Sequence, residues 1–267
     1  MSCRIQCHLY SDAYCRTICQ YTQFVHIPYP TPLWSGPFTS SDVAIAISID
    51  NSSVFVPGGN ISNAQFGFRR TELIAQLNST TQLTAISQVG TTAFHFSIAA
   101  DDSKPLNLTH EYQVVFIEPG DGSHVFGAQL GKHHIHSFVS AFVDLNLGSP
   151  FTNPQGTLPV VDARNINILD HDLNVLFSVP FTCQTWHNFA VVIDWDNPTL
   201  EVFYSAGAQS LKLVSPTKKN QGAKAAPDGQ GEFHFGVLKV CHFRSGEIVS
   251  TDEIMEIAAL GQSFRPS

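Results

Sequence analysis

TTAFHFSIAADDSKPLNLTHEYQVVFIE, residues 91–118, contains the pattern that decides the fold. Two runs rich in Phe, Val, Ile and Thr, TTAFHFSIAA and EYQVVFIE, flank the segment DDSKPLN, which has the composition of a turn or loop. Branched and aromatic side chains suit the pleated surface of a sheet. The stretch therefore predicts two β-strands joined by a loop.

The same succession of strand-like runs and turn residues continues through most of the chain. Seven further runs of this kind are AQFGFRRTEL, HIHSFVSAFVDLNL, INILD, LNVLFSVPF, WHNFAVVIDWD, TLEVFYSA and GEFHFGVLKV. Segments such as EPGDGS, DWDNPT and NQGAKAAPDGQG separate them. Short strands with this punctuation predict an all-β fold, an antiparallel β-sandwich of jelly-roll type, whose concave sheet offers an open groove.

Both ends of the chain differ in texture from this central region. The strand-rich domain is predicted to span residues 41–239. Residues 1–40 form an atypical leader without a recognisable signal peptide, and we expect it to be poorly structured. Residues 240–267 form an atypical tail, in which TDEIMEIAAL predicts a short helix.

Composition excludes some classes of function. The chain has 22 acidic and 14 basic residues and a formal net charge of −8, the wrong sign for a nucleic-acid partner. No apolar run is long enough to predict a membrane-spanning helix. Sequons at Asn51, Asn60, Asn78 and Asn107 are what a secreted protein can show.

Charged residues are 13% of the chain, yet three of them fall within four positions of FGFRRTEL. Because strand side chains alternate, Arg70 and Glu72 share one face, as do Glu111 and Gln113 on another strand. Two carboxylates on neighbouring strands can divide the acid and base roles of glycoside hydrolysis. Arg70 would favour the charged form of Glu72. The alternative is a structural ion-pair network of Arg69, Arg70 and Glu72.

A polysaccharide lyase is a less favoured interpretation. Lyases with this type of fold use Arg, Gln, His and Tyr on a concave sheet, and Arg70, Gln113, Tyr112 and His187 approximate that set. Alternation, however, places Tyr112 on the face opposite to Gln113.

Histidines offer no complete metal site by spacing. In GKHHIHSF, His134 and His136 share one face of a predicted strand, which is half of a metal site at most. No third ligand follows from the spacing, so we predict neither a metal nor another cofactor.

Several blocks together resemble glycoside hydrolase family 131, a family of secreted fungal β-glucanases. They are FGFRRTEL, TTAFHFSIAADDSKPLNLTHEYQVVFIE, LNVLFSVPFTCQTWHNFAVVIDWDNPTLEVFYS and GQGEFHFGVLK, which lie in this order within residues 44–239. The resemblance implies a jelly roll with a broad groove that acts on β-1,3-, β-1,6- and β-1,4-linked glucans with inversion.

The resemblance also implies roles for particular residues. The glutamates of the RRxEL and HEYQ motifs, here Glu72 and Glu111, match the catalytic pair. Substrate-binding roles are implied for Arg70, Gln113, His187 and His234. The expected partner is a β-glucan polysaccharide or oligosaccharide, and we expect an extracellular monomer. A non-catalytic glucan-binding protein or an inactive truncated homologue is the alternative.

Overall fold

A computed structural model describes residues 22–26, 43–50, 52–56, 59–74, 85, 87–100, 105–108, 110–118, 125–131, 162–221, 231–240 and 253–264. These residues form fourteen strands. The strands are β1 Thr22–His26, β2 Val43–Ile49, β3 Val54–Phe55, β4 Gln65–Ile74, β5 Thr91–Ala100, β6 Glu111–Glu118, β7 Phe126–Gly131, β8 Asn165–Asp170, β9 Val175–Pro180, β10 His187–Asp194, β11 Thr199–Ala206, β12 Lys212–Lys219, β13 Glu232–Val240 and β14 Glu253–Phe264.

The strands make two antiparallel sheets. The first sheet has the order β1-β2-β14-β5-β10-β11-β12, and the second has the order β3-β4-β13-β6-β7-β8-β9. Strands that are far apart in the chain lie side by side in both sheets, as when β13 inserts between β4 and β6. The predicted antiparallel β-sandwich is therefore confirmed.

The hydrophobic core lies between the two sheets. Phe94 of the first sheet stacks on Phe233 of the second with ring centroids 4.9 Å apart, and it also contacts the ring of Phe126 at 6.1 Å. Phe189 and Val191 add fully buried side chains from the centre of the first sheet. This apolar layer leaves the outward-facing side chains of the second sheet available for other contacts.

The predicted strands of the central region agree closely with the structure. TTAFHFSIAA, EYQVVFIE and TLEVFYSA coincide with β5, β6 and β11. The strand predicted at residues 134–147 lies outside the described residues. The edge strand β12 was missed, because KLVSPTKK is largely exposed and contains Pro and three Lys, which obscure its alternation.

The helix predicted at TDEIMEIAAL is wrong. Glu253–Phe264 is a strand, β14, which pairs with β2 on one side and with β5 on the other. Glu, Met, Ala and Leu favour a helix locally, but pairing along both edges overrides that preference. With β1, which pairs with β2, it extends the sandwich beyond residues 41–239 at both ends.

Among the described residues, no helix has the length and apolar character needed to cross a membrane.

Candidate active site

Five of the six site residues predicted from the sequence lie on three adjacent strands of the second sheet, β4, β13 and β6. On β13, Phe233 and Phe235 belong to the core between the sheets, so His234 points to the opposite, outer side. We call the outer side of these strands the polar face. Its members are Arg70, Glu72, Glu111, Gln113, Glu118 and His234.

Each carboxylate oxygen of Glu72 lies close to a nitrogen of a basic side chain. Arg70 Nη2 forms a salt bridge with Glu72 Oε1. His234 Nδ1 lies 3.1 Å from Glu72 Oε2 and 3.1 Å from Arg70 Nη2. The side chains of Arg70, Glu72 and His234 are 13%, 12% and 1% exposed, so these contacts are shielded from water.

These partners determine the charge of Glu72. Burial on its own would raise the pKa of Glu72, but the close contacts with His234 and with the guanidinium of Arg70 outweigh it, so the pKa lies below the ordinary value of 4.5. The Phe55 ring lies 4.6 Å from the guanidinium carbon of Arg70 and supports the cation from its other side. Glu72 is therefore a carboxylate that stays ionised at neutral pH.

A third carboxyl group, that of Glu118, reaches the same cluster from β6. Glu118 Oε2 lies 3.5 Å from His234 Nε2 and 4.0 Å from Arg70 Nη2. Phe116, also on β6, stacks on the imidazole with centroids 4.5 Å apart and an angle of 8° between the rings. Burial raises the pKa of Glu118 above 4.5, and the negative charge of Glu72 adds to this effect.

Glu111 lies at the opposite end of β6 from Glu118. Its side chain is buried, with 2% of the residue exposed, and Gln113 Nε2 donates a hydrogen bond of 3.0 Å to Glu111 Oε1. The predicted sharing of one face by Glu111 and Gln113 thus matches the geometry.

Strand register gives the distance between the two predicted catalytic glutamates. Arg70 pairs with Leu238, which pairs in turn with Gln113, so these residues form one row across the three strands. Glu72 lies two residues to one side of this row and Glu111 two residues to the other. With ~4.8 Å between strands and ~3.4 Å per residue, their Cα atoms are about 16 Å apart. A glutamate carboxyl carbon lies at most about 4 Å from its own Cα atom, so the two carboxyl carbons are at least about 8 Å apart.

The structure does not bring His187 to the polar face. His187 lies on β10 of the first sheet, two and four residues before the core residues Phe189 and Val191. Because alternate residues of a strand share a face, its side chain points into the space between the sheets. Its Nδ1 lies 2.9 Å from Tyr204 Oη, and its Nε2 accepts a hydrogen bond from the Thr182 backbone N–H at 3.2 Å. Burial lowers the pKa of His187 below 6.5. The residue therefore contributes to packing at one end of the sandwich.

The lyase-like set is not assembled either. Tyr112 is fully buried on the inner side of β6, where its hydroxyl bonds to the backbone of Asn107. Tyr112 and His187 are thus both separated from Arg70 and Gln113 by the thickness of a sheet.

The described residues contain no cluster of three or more His, Cys, Asp or Glu side chains that could hold a metal ion. His134 and His136 lie outside the described residues.

The family model for the glycoside hydrolase 131 catalytic N-terminal domain matches residues 16–257. The chain therefore belongs to glycoside hydrolase family 131, as the resemblance implied, and it is a glycoside hydrolase by family.

Two solved structures support this assignment at the level of the fold. One is a GH131 β-glucanase catalytic domain from Podospora anserina, with 20% identity, a TM-score of 0.60, and coverage of 92% of this chain and 86% of that chain. The other is the catalytic domain of a family 131 protein from Coprinopsis cinerea, with 22% identity, a TM-score of 0.59, and coverage of 93% and 79%. A search of curated proteins finds no match.

Proposed function

We propose that this glycoside hydrolase cleaves β-glucans by an inverting mechanism in which Glu72 is the general base and Glu111 the general acid. The observation that carries the proposal is the environment of Glu72, whose contacts with Arg70 and His234 lower the pKa of its carboxyl group. An ionised carboxylate can take a proton from the attacking water. The proton for the leaving oxygen must then come from the second carboxyl group, Glu111.

The spacing of the two glutamates supports inversion. Inverting enzymes keep their carboxyl groups about 6.5–9.5 Å apart to admit a water molecule, whereas retaining enzymes keep them about 5–5.5 Å apart. A separation of at least about 8 Å, the lower bound set by strand register, exceeds the retaining distance. Arg70, Gln113 and His234 lie between or beside the carboxyl groups, where they can bind sugar hydroxyls.

A β-glucan is proposed as the substrate because the relative from Podospora anserina is a β-glucanase. Linkages of the β-1,3, β-1,6 and β-1,4 types are all included. Such polymers are found outside the cell, so we also propose that the enzyme is extracellular and acts as a monomer. Asn60, an exposed residue at the start of a surface 3-10 turn, is then available for glycosylation.

The test measures reducing sugar released from laminarin, pustulan and barley β-glucan. We expect Glu72→Gln and Glu111→Gln each to lower kcat by about 10²–10⁴-fold, the usual contribution of a general acid or base. Glu201→Gln is the matched control, because Glu201 is a carboxylate of the first sheet whose partner is Thr217. Full activity of folded Glu72→Gln protein would refute the role of Glu72. Binding of insoluble glucan without sugar release would indicate a non-catalytic protein instead.

Stereochemistry is tested separately by proton NMR of the first product. An inverting enzyme acting on a β-glucan releases the α-anomer before mutarotation. Initial appearance of the β-anomer would refute the inverting mechanism while leaving the hydrolase activity intact.

A further inference from the structure

We propose that Glu118 and Glu232 form a subsite that binds the hydroxyl groups of a β-glucan sugar unit beyond the one that is cleaved. The inference rests on the proposed glucan substrate. The two glutamates are direct partners across β6 and β13, so their side chains lie next to each other on one face. Both contact the His234 ring, which shows that this face is the polar face.

The pairing of two like charges is the first observation that needs a functional explanation. Carboxylates directly opposite each other on neighbouring antiparallel strands repel and destabilise the sheet. Burial, together with the negative charges of Glu72 and Glu232, raises the pKa of Glu118 above 4.5, so the unfolding free energy falls as this group ionises with rising pH. Residues that lower stability are commonly retained because function requires them.

The second observation is hydrogen-bonding capacity that the fold leaves unused at this pair. The His234 side chain is 1% exposed, and its Nε2 lies 3.5 Å from Glu118 Oε2 and 3.6 Å from Glu232 Oε2. This nitrogen has no hydrogen-bond partner in the part of the chain that the structure describes. The side chains of Glu118 and Glu232 are 24% and 42% exposed, so a ligand on the polar face can reach their carboxyl groups.

Strand register places this pair outside the catalytic centre. Glu232 lies six residues from Leu238 on β13. Leu238 belongs to the row of Arg70 and Gln113, which runs between the two proposed catalytic glutamates. At ~3.4 Å per residue the separation is about 20 Å, which is longer than one sugar ring. A sugar bound at the pair is therefore a unit of the same chain that is not cleaved.

A β-glucan offers the groups that fit this pair. Its sugar units are neutral and carry hydroxyl groups that donate hydrogen bonds, and a carboxylate accepts these bonds more strongly than a neutral group does. Two adjacent carboxylates can accept from neighbouring hydroxyls of one ring, and these donors reduce the repulsion between the two charges. An anionic glycan would instead add a further negative charge beside the pair.

The experiment combines Tm with KM for oligosaccharides of different length, because stability should rise while affinity falls. In Glu118→Gln, Glu232→Gln and the double variant, loss of like-charge repulsion should raise Tm by about 2 °C at neutral pH. Loss of the charged acceptors should raise KM of the double variant for a glucan hexasaccharide about tenfold, with kcat little changed. For a disaccharide, which cannot extend from the scissile bond to the pair, KM should rise much less. Glu201→Gln, on the first sheet, is the matched control and should neither raise Tm nor change KM.

The outcomes separate this subsite from a structural contact and from the proposed function. A lower Tm in both single variants, an unchanged KM for the hexasaccharide, or an equal rise in KM for the disaccharide would overturn the inference, and the hydrolase function would stand. Affinity for the hexasaccharide is also measured by calorimetry, which requires no catalysis. If the wild type binds the hexasaccharide without releasing sugar, and the double variant binds it more weakly, the hydrolase function fails and the subsite stands.

Discussion

Gly236→Ala is predicted to damage the site through the backbone alone. Gly236 pairs with Glu72 in the β13–β4 register, so the two strands approach each other at the proposed base. A Cβ atom at position 236 would lie 2.5 Å from the Cα and Cβ atoms of Glu72 and closer still to the carbonyl oxygen of Thr71. Because these are largely backbone atoms, no side-chain rotation can relieve the overlap.

The structure sets the size of the expected effect. Ordinary contact needs roughly 3.5–4 Å between carbon atoms, so the strands must separate by about 1 Å. Such overpacking costs about 1–3 kcal/mol of unfolding free energy, and at ~2 kcal/mol a domain of this size loses roughly 4–8 °C in Tm. A misplacement of about 1 Å at a catalytic group can lower the rate by about 10²-fold. We therefore expect a moderate loss of stability together with a much larger loss of activity.

The assay compares kcat and Tm of Gly236→Ala with those of Gly207→Ala, with kcat measured well below both values of Tm. Gly207 has φ +56 and no atom near its virtual Cβ, so alanine there should cost roughly 1–2 kcal/mol through backbone strain. That variant should keep its activity per folded molecule. A Gly236→Ala protein with wild-type Tm and wild-type sugar release would refute the argument from close strand approach.

Three further predictions concern stability and reactivity. Asn188 is fully buried; its side chain accepts a hydrogen bond from Ser97 Oγ at 2.7 Å and donates one to the Gly207 carbonyl at 2.8 Å. Asn188→Ala should therefore lower the unfolding free energy, measured by urea titration, by about 2–4 kcal/mol, and a loss below about 1 kcal/mol would contradict this. Burial lowers the pKa of His187, so the unfolded chain binds a proton at this residue more readily than the folded protein does. The unfolding free energy should therefore fall as the pH drops below 6.5, with a slope of at most about 1.4 kcal/mol per pH unit. His187→Gln should flatten that slope when unfolding is measured as a function of pH. Cys183 is an exposed cysteine, and Cys183→Ser should remove one equivalent of maleimide labelling from the native protein; unchanged labelling would show that this thiol is protected.

Local alternation was enough to predict the strands that carry the site. In β4, Arg70 and Glu72 are adjacent on one face, and the salt bridge between them is the contact that a two-residue spacing allows. The order of strands within the sheets was not predictable in this way. Pairing of β13 with both β4 and β6 depends on contacts between distant parts of the chain, which no local pattern encodes.

For Glu118, the alternation of side chains along the strand predicts the wrong face of the sheet. In an uninterrupted strand, Glu111 and Gln113 share a face with position 115, and Glu118 falls on the opposite face. The β6 strand has an irregular register between Gln113 and Val115 against β7, which shifts the alternation by one residue. Glu118 is thereby brought to the face of Glu111 and into contact with His234. Because the bulge cannot be seen in the sequence, alternation alone could not assign Glu118 to the polar face.

The tail shows the opposite limit, in which local preference is misleading. TDEIMEIAAL contains good helix formers, yet β14 is an inner strand of the first sheet. A strand that pairs along both edges satisfies its backbone hydrogen bonds as fully as a helix does, so the intrinsic preference of a few residues does not decide the outcome. Its position between β2 and β5 makes this segment part of the sandwich rather than an appendage.

Each of the two proposed catalytic glutamates contacts a polar side chain two residues away on its own strand, but the two side chains differ in charge. We infer that this difference separates the roles of the glutamates. Glu72 has a guanidinium two residues before it, in Arg70, whereas Glu111 has an amide two residues after it, in Gln113. A cation stabilises a neighbouring carboxylate more strongly than a neutral amide donor does. An acid–base pair needs two carboxyl groups with different proton affinities. The exchange of Arg for Gln at equivalent strand positions therefore favours Glu72 as the ionised base and Glu111 as the proton donor.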